Sequence, residues 1–130
     1  MPITPAYAAV LALLFVVLSV RTLRLRKRLR VAIGDGNDPQ LARAARVHAN
    51  FAEYVPLALL VIYLLEVGGA PRLAIHALCG ALLVGRIAHA WGVSQVRENL
   101  RFRVAGMALT FVAIVSAALA LLYRYAAAAL

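Results

Sequence analysis

Two stretches of the chain carry no charge at all, residues 1–20 and residues 104–123. Each matches the length a helix needs to cross ~30 Å of hydrocarbon at about 1.5 Å per residue, so each predicts a transmembrane span. Between them, residues 41–96 are apolar but interrupted by Arg46, His48, Asn50, Glu53, His76, Arg86 and His89. Gly68-Gly69-Ala70-Pro71 reads as a tight turn that divides this region into two helices, each long enough to cross. The pattern therefore predicts an all-α integral membrane fold, a four-transmembrane-helix bundle. It forms one membrane domain over residues 1–130, with spans at about 3–24, 41–67, 73–93 and 104–125. Gly34-Asp35-Gly36-Asn37-Asp38-Pro39 is turn chemistry, in which Asp38 can cap helix 2 and Pro39 can take its first position. The alanine-rich tail, Ala126 to Ala129, is expected to be the frayed end of helix 4.

Composition agrees with the pattern. A chain that is 65% hydrophobic and 15% charged is too apolar for an ordinary soluble domain. Its net charge of +9 would suit a nucleic-acid binder, but the basic residues stand beside apolar spans, where they set topology and meet anionic lipid. The first loop and its flanks hold eight Lys and Arg and the third loop three, against two on the other side (Arg72 and Arg124). This bias predicts cytoplasmic basic loops and both termini on the non-cytoplasmic side. The basic cluster Arg21 to Arg30 follows the first apolar run rather than preceding it, which suits an uncleaved span and not a signal peptide. Cys79 is the single cysteine, so no internal disulfide is expected, and no metal, haem or nucleotide pattern is present.

The chemistry lies in the middle helices. On a helical wheel of about 100° per residue, Arg43, Arg46, Asn50 and Glu53 fall within about 80° and make one polar stripe. Charges at such depth cost a few kcal/mol or more unless paired or hydrated, so the stripe should face protein or a wet pocket. Arg86 and His89 share a face of helix 3, which makes Arg86 the expected partner of Glu53. That pair could be a salt bridge that only orients the bundle. Arg46 and Asn50 beside it favour a ligand site, because arginine offers a fork for carboxylates and asparagine both donates and accepts. His48, on the opposite face of helix 2, is expected at a helix contact or at the interface, and His76, near the outer end of helix 3, in a plain structural role. Glu66 is expected to reach water.

Arg46-Val47-His48-Ala49-Asn50-Phe51-Ala52-Glu53-Tyr54-Val55-Pro56 resembles the signature of the MAPEG family, membrane-associated proteins in eicosanoid and glutathione metabolism. Leu23-Arg24-Leu25-Arg26-Lys27-Arg28 is similar to that family's basic end of helix 1. Val84-Gly85-Arg86-Ile87-Ala88-His89 is similar to its helix 3 stretch, and Leu100-Arg101-Phe102-Arg103-Val104-Ala105-Gly106-Met107 to the start of its helix 4. Four motifs in order cover nearly the whole chain, and the length and Gly-Asp-Gly loop look most like a small bacterial branch. The resemblance implies a homotrimer binding glutathione between adjacent protomers near the cytoplasmic face. By matching positions, Arg46, Asn50, Glu53 and Tyr54 would contact the peptide, Arg24 or Arg26 would reach a carboxylate, and Arg86 and His89 would join them. Arg103 is the implied activator of the thiol, with Arg101 the alternative. Eicosanoid-type members carry tyrosines at the positions of His89 and Val93, and valine cannot replace the second hydroxyl.

The function so implied is a glutathione-dependent transferase or peroxidase acting on lipophilic electrophiles, which approach from the bilayer. Two other classes compete with it. A small transporter would use a membrane-embedded acid, but usually one on helix 1, which is uncharged here. A non-catalytic member of the family would bind its ligand without turnover.

Overall fold

The computed structural model describes residues 1–128, so Ala129 of the alanine-rich tail lies outside the described residues. The described residues form four helices and no strand: α1 (Thr4–Leu29), α2 (Pro39–Val67), α3 (Arg72–Ser94) and α4 (Leu100–Ala128). All four are long and apolar enough to cross a membrane. Short connections force neighbours to run antiparallel, giving an up-down-up-down bundle. The helices outrun the apolar stretches that predict them. α1 continues to Leu29 and α4 begins at Leu100. Arginine and lysine are good helix formers whose stems lie along apolar surface while their heads reach water, so the basic flanks extend the helices.

Local chemistry sets the boundaries. Arg30 closes α1 in the left-handed conformation, φ 57°, with Val31 N–H donating to the Arg26 carbonyl at 3.1 Å. Asp38 caps α2 as expected, its carboxylate accepting from Leu41 N–H at 2.8 Å, and Pro39 opens the helix. At the opposite end α1 has no capping side chain of its own. Glu66 supplies one from the end of α2, accepting from the N–H groups of Ile3 and Thr4, the latter at 2.9 Å. Glu66 is also partly exposed, so it can still reach water at the end of α2, as expected. A carboxylate satisfies orphan donors at a positive helix end. Arg124 donates to the Gly68 carbonyl at the same end, and Tyr7 OH lies 3.2 Å from His76 Nδ1.

The core runs along the bundle axis through Leu11, Ala58, Ile62, Ile75, Cys79, Leu82, Ala113 and Ala117, all fully enclosed. Large apolar side chains such as Leu13, Val17, Leu60, Val112 and Leu122 point outward instead. A surface of that kind is stable only against lipid or another protein. The chain is an integral membrane protein.

α3 and α4 make the most extensive helix pairing, and small residues bring their backbones together. A Cβ added at Gly106 would lie 2.5 Å from the Gly85 carbonyl oxygen and 2.6 Å from the His89 nitrogen, both backbone atoms that cannot swing away. Gly80, by contrast, has open space around it. Gly106→Ala should therefore destabilise the bundle by about 1–3 kcal/mol or more through overpacking, whereas Gly80→Ala should be neutral or slightly stabilising. Thermal unfolding in detergent checks the pair. Equal melting temperatures for the two variants would refute the close-contact account.

Candidate functional site

The polar stripe of α2 divides. Its two edges are about 60–80° apart on the wheel, and α3 packs against one of them only. Arg43 and Asn50 turn to the α3 side, while Arg46 and Glu53 stand on the outside of the chain. Arg46 and Glu53 pair with each other at 3.3 Å through both guanidinium nitrogens, with side chains 58% and 45% exposed. Seven residues apart, they stand two turns apart on one helix and can meet without help from another element. This corrects the expected Glu53–Arg86 pair.

Arg86 is enclosed, 1% exposed, on α3. Its guanidinium donates to Asn50 Oδ1 at 2.7 Å and to Thr110 Oγ1 at 3.4 Å, with Met107 Sδ at 3.8 Å and the Phe51 ring centroid at 5.9 Å. Among the described residues no carboxylate pairs with it, and its Nε finds no acceptor. A neutral cage of amide, hydroxyl, thioether and aromatic face thus replaces a counter-ion. His89 is buried one turn further along α3, and its Nδ1 also lacks a hydrogen-bond partner among the described residues. Tyr54 sets its ring edge against Phe111 of α4 at 5.5 Å. Val93 is buried, and its carbonyl accepts from Arg43 at 3.1 Å.

Arg103 and Arg43 converge on Glu98 in the short connection between α3 and α4, at 3.6 and 2.9 Å. The hydrogen bond from Arg43, helped by the charge of Arg103, holds the Glu98 carboxyl below the usual glutamate range. Two guanidiniums on one carboxylate leave a net positive charge, and Arg103 keeps half of its side chain exposed. Arg101 is exposed, and its backbone N–H donates to Asn99 Oδ1 at 3.1 Å.

Arg24 and Arg26 lie on opposite sides of α1. Arg26 donates to the Gly34 and Ala32 carbonyls at 2.8 and 3.3 Å, and with Arg46 it lines a shallow surface over Ala42, Ala45 and Ala49. Arg24 lines a separate groove with Arg21 and Arg28. His48 makes the helix contact expected of it, 3.0 Å from Ser19 Oγ and stacked on Phe15 at 4.7 Å.

Sequence reasoning missed the cage residues Thr110, Met107 and Phe51, and it missed Glu98. Thr110 is a hydroxyl within the uncharged run 104–123, a polar signal that could have been weighed. Nothing in the spacing of Glu98 tells which arginines it gathers.

A four-helix membrane bundle with a polar seam at its basic end defines the class. A family model for the MAPEG family matches residues 4–123, and the chain belongs to that family. It is also 37% identical over 122 residues to "Inner membrane protein YecN" of Escherichia coli strain K12, covering 93% of this chain and 91% of that one. The protein of the same name from Escherichia coli O6:H1 matches to the same extent. The chain is an integral inner-membrane protein.

The cage makes a stability prediction. Asn50→Leu strands a buried guanidinium and should cost about 2–4 kcal/mol. Adding Arg86→Met removes the stranded charge and should restore most of that loss. A double variant as unstable as the single one, in detergent melting, would show that Asn50 acts otherwise.

Proposed function

We propose that the protein is a glutathione-dependent membrane transferase, with peroxidase activity toward lipophilic hydroperoxides, working as a homotrimer. The observation that carries this reading is the Arg46–Glu53 pair, half-exposed on the outside of a single chain with Glu53 at the middle of α2. Hydrocarbon is a poor neighbour for two charges, so a polar ligand and a second protomer are what this surface calls for. Membership of the family supports the same choice.

Glutathione carries two carboxylates, one ammonium group and one thiol. Arg46 and Arg26, which share a surface, take a carboxylate in charge-assisted hydrogen bonds. Glu53 holds the ammonium group, exchanging part of its bond to Arg46 for it. Asn50 and Arg86 tie α2 to α3 behind the pair, on the side where Tyr54 packs on Phe111 and His89 is buried. Arg103, half-exposed and only partly neutralised by Glu98, stabilises the thiolate. The sulfur then attacks an electrophilic carbon, a C–S bond forms, and the leaving group departs with its electron pair. A hydroperoxide is attacked at oxygen instead: an S–O bond forms as the O–O bond breaks, the alkoxide leaves and takes a proton from water, and a second glutathione thiol displaces water from the sulfenic acid to give the disulfide. A proton-coupled transporter is disfavoured because Glu53, the acid it would use, is tied to an arginine.

Calorimetry on the detergent-solubilised protein should show glutathione binding that Arg46→Ala weakens about tenfold or more, since a charged hydrogen bond contributes about 1.5–3 kcal/mol. An unchanged affinity in that variant removes the α2 stripe from the site. Arg103→Ala should lower the conjugation rate about tenfold or more at neutral pH. The loss should shrink as pH rises through about 8.5, where a free thiol ionises without help. A deficit constant with pH would mean that Arg103 does something other than favour the thiolate.

A further inference from the structure

The basic end of α1 is not one patch. Arg21, Arg24 and Arg28 follow one another at helical spacing along a single side of the helix. Arg26, on the other side, is folded onto loop carbonyls. The three line a groove of about 730 Å³ between α1 and the ends of α2 and α3. One turn deeper the same groove is walled by Val16, Val17 and Val20.

Neutral oxygens, not acids, orient these arginines. Arg21 donates to Ser94 Oγ, and Arg28 to Gln40 Oε1 at 3.2 Å. No Asp or Glu lines the groove. Among the described residues, the ion pairs involve Arg43, Arg46 and Arg103 only. Three uncompensated guanidiniums therefore sit where α1 leaves the apolar layer, directly above an apolar trough. Residues needed only to set topology have no reason to gather on one face over such a trough.

We infer that this groove seats an anionic phospholipid, its phosphate held by the arginines and one acyl chain lying along the valines. Basic pockets between membrane helices suit such headgroups, and each arginine near the surface adds to the attraction. Arg24 and Arg28, four residues and about 6 Å apart along the axis, are the two best placed to grip one phosphate. The seat lies across α1 from the surface that carries Arg26 and Arg46, and assigning Arg24 to it rests on Arg26 being the helix 1 residue that takes a glutathione carboxylate.

Native mass spectrometry of the full chain in detergent, titrated with phosphatidylglycerol or with phosphatidylcholine of the same acyl chains, tests this. The unaltered protein should retain phosphatidylglycerol preferentially. Arg28→Glu should weaken that retention about tenfold or more, and Val20→Trp, which fills the trough, should do the same. Lys27→Glu makes the same charge change one residue away, outside the groove, and should leave retention intact. Equal weakening by Lys27→Glu would reduce the effect to the general field of the basic end and overturn the proposal. Undiminished retention in Arg28→Glu and Val20→Trp would do so as well. A change of oligomeric mass in Val20→Trp would mean that a second copy covers the groove, against the proposal. Glutathione binding should survive Arg28→Glu, and its loss would assign the groove to that ligand instead. If the unaltered protein binds no glutathione at all, the lipid comparison still stands on its own.

Discussion

The hydrogen bond from Arg86 to Asn50 joins α3 to α2, and the same guanidinium reaches Thr110 on α4. A charge enclosed among three helices has nowhere else to go, because the bilayer offers no water to take over a broken contact. The close approach of Gly85 and Gly106 brings α4 near enough for Thr110 and Met107 to complete the cage. Glycine packing and polar satisfaction are therefore one constraint. Moving α4 away by the width of a methyl group would loosen both.

That constraint also sorts the other arginines. With Asn50 committed to Arg86, Glu53 is left to Arg46 on the outside, and the pair becomes a feature of the molecular surface. Arg43 and Arg103 settle on Glu98, which holds the connection between α3 and α4 against the start of α2. Each end of the bundle has its own tie. Glu66 secures α1 to α2 at one end, and Arg21 secures α1 to α3 at the other. The surface left over has two polar regions on either side of α1, one around Arg26 and Arg46 and one around Arg24 and Arg28.

Much of this protein is legible in the order of its residues. Uncharged runs of membrane-spanning length, the Gly68 to Pro71 turn and the Asp38-Pro39 start specify four helices, because hydrocarbon thickness and the backbone's need for internal hydrogen bonds admit few alternatives. Four motifs in order, the one around Arg46, Asn50 and Glu53 among them, indicated the family that the match over residues 4–123 shows. The face of His48 was legible too, since helical periodicity sets it opposite the stripe, while only the structure shows that α1 packs there.

The choice of partner for each charge was not legible. A wheel shows that Arg43, Arg46, Asn50 and Glu53 share a side, but not where the edge of α3 cuts that side in two. Arginine side chains are long enough to choose among neighbouring helices, so the pairs Arg86 with Asn50 and Arg43 with Glu98 follow from interhelical packing. Glu66 shows the same thing at the other end, since its use as a cap for α1 depends on two helix ends meeting in space. Local pattern and bilayer thickness determined the spans. Only the packing of one helix on another, at distances no sequence spacing encodes, decided which polar groups became structure and which were left outward for a ligand.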